Sequence, residues 1–383
     1  MKVLGIIAEY NPFHNGHIYH INKAKEITHA DYVIAIISGP FTEAGNISII
    51  DKYEKAELAI KYGVDLVIEL PVIYAISSAH YFASSAIKLL NKLNIIDYVC
   101  FGSECNNIDT LKNISKKIYD NEKDFWNNLK SKNKNLSFAK AREDSLNNIL
   151  NKNEIDIIKG SNDILGLEYI STLNNIKSQI KPFTIKRDDN FKSATYIRDS
   201  LNNKNTDSIE DYVPTETYGY IKKSLINNDS LYDIIRYKIL TSNTNELEKI
   251  KDVNEGLENK LKKEIIDFKD YNTFIQSIKS KRYEMSKIKR ILTNTLLDIT
   301  KDDFNYALNN DILYAHILKC NKNGKELLSE ISKKSDIDII TSTSKTESLN
   351  SNIEKYLNID IKAQNIYSII SKSKLNKDYT NKI

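Results

Sequence analysis

The chain has 383 residues, 41% of them hydrophobic and 28% charged, with 55 basic against 51 acidic side chains and a net charge of +4. That length supports two or three domains with a sizeable core. The near-neutral balance excludes a histone-like polycation but not a local nucleic-acid patch. With only 11 glycines and 5 prolines, collagen-like and low-complexity classes are excluded and an all-β chain is disfavoured.

Val3-Leu4-Gly5-Ile6-Ile7 is a short apolar run that predicts a buried strand. A turn-rich stretch, Glu9 to Gly16, precedes a helical pattern running from about His17 to Thr28. Tyr32 to Ile37 predicts a second strand, Lys52 to Tyr62 a helix, Leu66 to Leu70 a third strand, Ala79 to Leu93 a helix, and Tyr98 to Phe101 a fourth strand. Residues 106–160 read as polar and helical. Asp163 to Asn174 is a helix, Lys181 to Lys186 a fifth strand, and Ser193 opens another helix by supplying a capping oxygen. Strands apolar on both faces that alternate with helices indicate a parallel sheet covered on both sides. Ligands of such sheets bind beyond the carboxyl ends of the strands. Past about residue 205, proline and glycine nearly vanish and amphipathic helical patterns take over, as in Leu231 to Leu240 and Lys287 to Ile299. The expected organisation is an α/β Rossmann-like domain over 1–205 and a mostly α-helical C-terminal domain over 206–383.

Cys100, Cys105 and Cys320 are odd in number and show no C-x-x-C spacing, so neither a disulfide framework nor structural zinc is expected. The N-terminus lacks the long apolar region of a signal peptide. No run approaches the roughly 20 apolar residues of a membrane span. A cytoplasmic protein without membrane association is expected.

Three of the six histidines follow the first strand. His14-Asn15-Gly16-His17 has the form H-x-G-H and opens a helix. A helix N-terminus offers free N–H groups and partial positive charge to a phosphate. Gly16 permits close backbone approach. His14 and His17, at i and i+3, project to one side, where they can donate to an α-phosphate as it gains charge. Zinc ligation by His14, His17 and His20 fits no common pattern, and no metal ligands are assigned.

This motif resembles the HIGH-type nucleotidyltransferase superfamily. Its second signature is matched by Ser193-Ala194-Thr195-Tyr196-Ile197-Arg198, where Ser193, Thr195 and Arg198 would hold the β- and γ-phosphates. A closer resemblance, to the bacterial tRNA(Met) cytidine acetate ligase family, runs through Gly5 to His20, Ser38-Gly39-Pro40-Phe41, Asp51-Lys52-Tyr53, Gly63 to Pro71, Phe101 to Glu104, Asn162 to Tyr169 and Ile185-Lys186-Arg187. It covers nearly all of residues 1–205, and the remainder matches best at Lys287 to Leu292. The resemblance implies N4-acetylation of the wobble cytidine of elongator tRNA(Met), with acetate and ATP as substrates and acetyl-adenylate as intermediate. Mg²⁺ would accompany the ATP. His14 and His17 would be catalytic. Gly16, Gly102, Asn162, Lys186 and Arg187 would border the nucleotide, and Ile7, Asn11, Phe13 and His20 complete the expected binding set. Lys279, Lys281, Arg282, Lys287, Lys289 and Arg290 form the densest basic stretch and the expected tRNA phosphate contact.

Two departures stand out. After Ser-Gly-x-Phe the family continues x-Gln-Arg-Gly, whereas this chain has Thr42-Glu43-Ala44-Gly45. The segment from Arg187 to Ser193 is also shorter. Two other readings therefore stand beside the ligase: a small-molecule adenylyltransferase, and a catalytically impaired tRNA-binding relative.

Overall fold

The computed structural model describes residues 1–132, 138–188, 190–203, 205–268, 270–343, 349–381 and 383. The five expected strands form within two residues of their expected ends: β1 Val3–Ala8, β2 Tyr32–Ser38, β3 Leu66–Leu70, β4 Tyr98–Ser103 and β5 Lys181–Lys186. They pair in parallel in the order β5-β4-β1-β2-β3. The order turns back between β1 and β4, and that reversal opens a crevice at the strand carboxyl ends.

The sheet does not stop at the fifth strand. Two strands not anticipated from the sequence, β6 Tyr314–Cys320 and β7 Asp338–Ile340, extend it to seven, with β6 antiparallel to β3. The chain beyond residue 310 thus returns to the edge of the parallel sheet. The helices that follow residue 205 share its core as well. One apolar cluster runs from Ile34, Ile36, Leu66 and Ile68 through Tyr232, Phe274 and Leu292 to Leu357. The opposite face packs Leu4, Ile6, Val33, Ala35 and Val67 against Ile21, Ala24, Ala56 and Leu58.

A buried ionic cluster fastens the C-terminus to this sheet. Lys52 is fully buried, and its ammonium donates to Glu69 at 2.8 Å and to Asp378 at 2.6 Å. Across the β3–β6 ladder His316 Nδ1 lies 2.7 Å from the same Glu69 carboxylate. Burial alone would favour the neutral acid, but Lys52 and His316 outweigh it and hold Glu69 ionised. Glu69, His316 and Asp378 are spaced like metal ligands. The Lys52 ammonium already supplies the positive charge among them.

Candidate active site

The carboxyl ends of β1, β4 and β5 meet helix N-termini around a cavity of about 560 Å³. Helix Asn15–Thr28 begins at His14, which serves as its N-cap. His14 Nδ1 accepts from the Gly16 N–H at 3.1 Å, and His17 Nδ1 accepts from the His14 N–H at 3.1 Å. Two imidazoles thereby form the reciprocal capping box that Ser and Glu usually make. The arrangement settles their tautomers: an Nδ1 that accepts leaves the proton on Nε2. Both rings line the cavity, with centroids 3.8 Å apart. Burial, aided by Arg187 and Arg198, pushes His14 down to about 4, and burial with the neighbouring His14 and His20 takes His17 well below its ordinary value. Both are therefore neutral Nε2–H donors at physiological pH. His20 also lines the cavity, is lowered to about 4 by burial, and its Nε2 has no hydrogen-bond partner among the described residues.

Gly16 has a steric reason beyond approach to a ligand. A Cβ there would lie 2.8 Å from His14 Cε1 and 3.3 Å from Phe191 Cβ. The His14 ring folds over the first turn only because residue 16 has no side chain. Gly102, in contrast, has nothing within 4 Å of its missing Cβ and leaves the cavity wall open.

The second phosphate-type corner is the start of helix Ala194–Asn202. Ser193 caps it, its Oγ accepting from the Tyr196 N–H at 3.1 Å. Arg198 donates from Nη1 to the Asn11 carbonyl at 2.8 Å and from Nη2 to Thr195 Oγ1 at 2.9 Å. One guanidinium thus ties the β1 loop to this helix. Helix Ser161–Asn175 also starts at the cavity, but its N–H groups are taken. The Glu104 carboxylate accepts from the Asn162 and Asp163 N–H groups at 3.3 and 2.9 Å. At helix Asn15–Thr28 the Gly16 and His17 N–H groups are likewise taken, by His14 Nδ1 and the His14 carbonyl, so the imidazole Nε2–H groups stand in as the donors there; at helix Ala194–Asn202 the Ser193 hydroxyl takes the Tyr196 N–H.

Lys55 braces the mouth from beneath. Fully buried, it donates to the carbonyls of Glu9, Ser38 and Gly39 at 2.9 to 3.0 Å. Burial pushes its ammonium down to about 8 despite the nearby Glu9 carboxylate. Neither Lys55 nor Glu104 was given a role from the sequence: a lysine in a helix carries no local sign of burial, and an exposed glutamate after a strand carries no sign that it caps a helix 58 residues on.

Of the expected nucleotide-binding residues, Ile7, Asn11, His14, Gly16, His17, His20, Gly102, Asn162, Lys186, Arg187, Ser193, Thr195 and Arg198 all line this cavity. Phe13 does not. It is fully buried with its ring centroid 5.4 Å from that of His17, and it stacks on Tyr62. The six basic residues of the C-terminal half divide. Lys279 and Lys281 are exposed. Arg282 pairs with Glu255, and Lys287 lies over the Tyr283 ring. Lys289 donates to Asn46 Oδ1 at 2.9 Å, and Arg290 lies 3.2 Å from the Glu43 carboxylate.

A family model described as HIGH Nucleotidyl Transferase matches residues 1–382, and the chain belongs to that family. Within it, the chain is 41% identical to the tRNA(Met) cytidine acetate ligase of Clostridium novyi, over 97% of this chain and 96% of the relative. It is 39% identical to the ligase of the same name from Clostridium botulinum strain Okra, over 99% and 97%. It also resembles the crystal structure of Thermotoga maritima TmcAL bound with alpha-thio ATP. That likeness has a TM-score of 0.91 at 32% identity and covers 100% of this chain and 98% of the other. Among the described residues no helix is long and apolar enough to cross a membrane.

Proposed function

We propose that the chain is an ATP-dependent ligase that acetylates N4 of the wobble cytidine of elongator tRNA(Met) by way of acetyl-adenylate. The observation that carries the chemistry is the pair of neutral imidazoles, each with its Nδ1 occupied by a backbone N–H, that cap a helix N-terminus on the cavity wall. The full-length similarity to enzymes named for this reaction carries the substrate.

In the first half-reaction an acetate oxygen attacks the α-phosphorus and pyrophosphate leaves. His14 and His17 would donate from Nε2 to the α-phosphate oxygens as their charge grows, and a preorganised donor needs no reorganisation at that moment. The start of helix Ala194–Asn202, with Ser193, Thr195 and Arg198, would take the departing pyrophosphate. Lys186, the last residue of β5, and Arg187 just past it, both exposed, would meet the ribose or phosphates. Mg²⁺ would enter with ATP, held by its phosphates and by water. Among the described residues the carboxylates lining this cavity are Glu9, Glu43 and Asp188. In the second half-reaction N4 forms a bond to the acyl carbon, the acyl–phosphate C–O bond breaks, AMP leaves with the electron pair, and N4 releases one proton.

The test is mass spectrometry of nucleosides from tRNA(Met) incubated with the protein, ATP and acetate, alongside acetate-dependent ATP–pyrophosphate exchange. N4-acetylcytidine together with exchange is the expected result. Exchange without tRNA acetylation would favour a small-molecule adenylyltransferase. Retained tRNA binding with no exchange for any carboxylate would mark an inactive relative.

A further inference from the structure

A second cavity, of about 380 Å³, adjoins the first and shares three of its residues, Glu43, Ala79 and Ile164. Its size falls in the range of about 300–1,000 Å³ typical of small-ligand sites. Its wall carries five cations, Arg142, Lys159, Arg282, Lys287 and Arg290. Four carboxylates, Glu43, Glu143, Glu168 and Glu284, share that lining. Arg142 and Arg290 are paired with Glu168 and Glu43 within it, whereas among the described residues Lys159 and Arg282 pair only with the exposed Asp156 and Glu255, and Lys287 lies over the Tyr283 ring. Glu168 is engaged by His80 and Arg142, each at 2.7 Å. Glu43 stands where the two cavities join.

Glu43 is held from three directions. Its N–H donates to the Glu9 carboxylate at 2.6 Å, its Oε1 accepts from Arg290, and the turn that carries it rests on helix Met285–Leu297. That turn leaves no slack: a Cβ on Gly45 would lie 2.5 Å from the Arg290 backbone nitrogen, and Thr293 Oγ1 donates to the Gly45 carbonyl. A carboxylate has about four acceptor sites. Only Oε1 of Glu43 meets a donor among the described residues.

Building on the ligase reading, we propose that the second cavity receives the cytosine nucleoside of the acceptor RNA, with Glu43 accepting a hydrogen bond from its exocyclic amine. A carboxylate accepting from cytosine N4 is an established base-recognition pairing. A base held there presents its amine at the junction, facing the compartment in which the acyl-adenylate would form. Lys159, Arg282 and Lys287 of the lining then meet the flanking phosphates, which position the RNA without reading sequence. Arg290 thereby acquires a role different from a surface phosphate contact: it orients the acceptor-reading carboxylate.

Three variants test it in the full-length protein: Glu43→Leu, Glu43→Gln and Ser286→Trp, the last filling the cavity from its lining. For each, acetyl transfer to tRNA(Met) is measured together with acetate-dependent ATP–pyrophosphate exchange. Loss of one base-edge hydrogen bond predicts a fall of about tenfold or more in the transfer-to-exchange ratio for Glu43→Leu, seen mainly as a raised KM for tRNA. Ser286→Trp should behave similarly. Glu43→Gln should fall by less than Glu43→Leu, because its one amide oxygen still accepts while its amide nitrogen cannot. A parental ratio in both Glu43→Leu and Ser286→Trp overturns the proposal. So does an equal fall in Glu43→Gln and Glu43→Leu with Ser286→Trp unaffected, because Glu43 would then act only through its ion pair with Arg290. Absence of exchange and transfer in the parent protein would instead refute the ligase reading.

Discussion

Replacing His14 by asparagine separates two tasks that one imidazole performs. Its Nδ1 caps helix Asn15–Thr28 by accepting the Gly16 N–H at 3.1 Å, while its Nε2–H is left as a donor on the cavity wall. Asparagine is among the best N-cap residues and can keep the first task. It is too short to place a donor where Nε2 stands. Alanine loses both. The cap contributes about 0.5–2 kcal/mol to stability. A lost oxyanion-type donor costs about 2.7–4 kcal/mol of transition-state stabilisation, or about 10²–10³ in rate. His14→Asn should therefore unfold in urea within about 0.5 kcal/mol of the parent yet lose 10²–10³-fold in ATP–pyrophosphate exchange, whereas His14→Ala should match that loss and also be less stable by about 1 kcal/mol. If His14→Asn exchanges at more than a third of the parental rate, the donor role is wrong. If His14→Ala is as stable as His14→Asn, the capping role is wrong.

Other perturbations test the surrounding structure. Lys52→Met leaves Glu69 and Asp378 buried without their shared ammonium, and urea unfolding should show a loss of about 3–5 kcal/mol; a loss under 1 kcal/mol would contradict the clasp. Arg198→Lys cannot span the Asn11 carbonyl and Thr195 hydroxyl at once, so KM for ATP should rise about tenfold with little change in melting temperature; an unchanged KM would show that the bridge does not shape the site. Burial lowers His20 from 6.5 to about 4, so the folded state binds fewer protons than the unfolded chain between those values and loses stability as pH falls through that window. His20 should contribute about 2 kcal/mol of the loss from pH 7.5 to pH 5, beside the shares of His14 and His17, and its share should be missing in His20→Asn. An identical pH dependence in that variant would show that His20 is not held neutral.

Much of the site was legible because its signals are local. A capped helix start, a glycine beside a histidine, and Ser-x-Thr at a strand-to-helix junction each announce themselves within a few residues. The parallel strands were legible because burial on both faces leaves unbroken apolar runs. Strand β6 was not. Its run Tyr314-Ala315-His316-Ile317-Leu318-Lys319-Cys320 is broken by His316, whose burial makes sense only opposite Glu69 on β3. The same long-range pairing explains the glutamate in the otherwise apolar β3. Sequence periodicity cannot report a partner 247 residues away.

The basic stretch of the C-terminal half shows how a composition signal changes meaning in three dimensions. In sequence Lys287, Lys289 and Arg290 resemble one face awaiting RNA. In the fold, helix Met285–Leu297 lies against the turn at residues 42–46, and two of the three are drawn into that contact: Lys289 bonds Asn46 and Arg290 bonds Glu43. Position 44, where the resemblance leads one to expect arginine, is alanine here, yet a guanidinium still reaches this loop, delivered by Arg290 from 247 residues along the chain. An arginine offered from a packed helix is positioned by that helix rather than by the loop it serves. The C-terminal half is therefore part of the floor and wall of the acceptor side, and separating it from the nucleotide-binding part would remove the Glu43 ion pair along with two strands of the shared sheet.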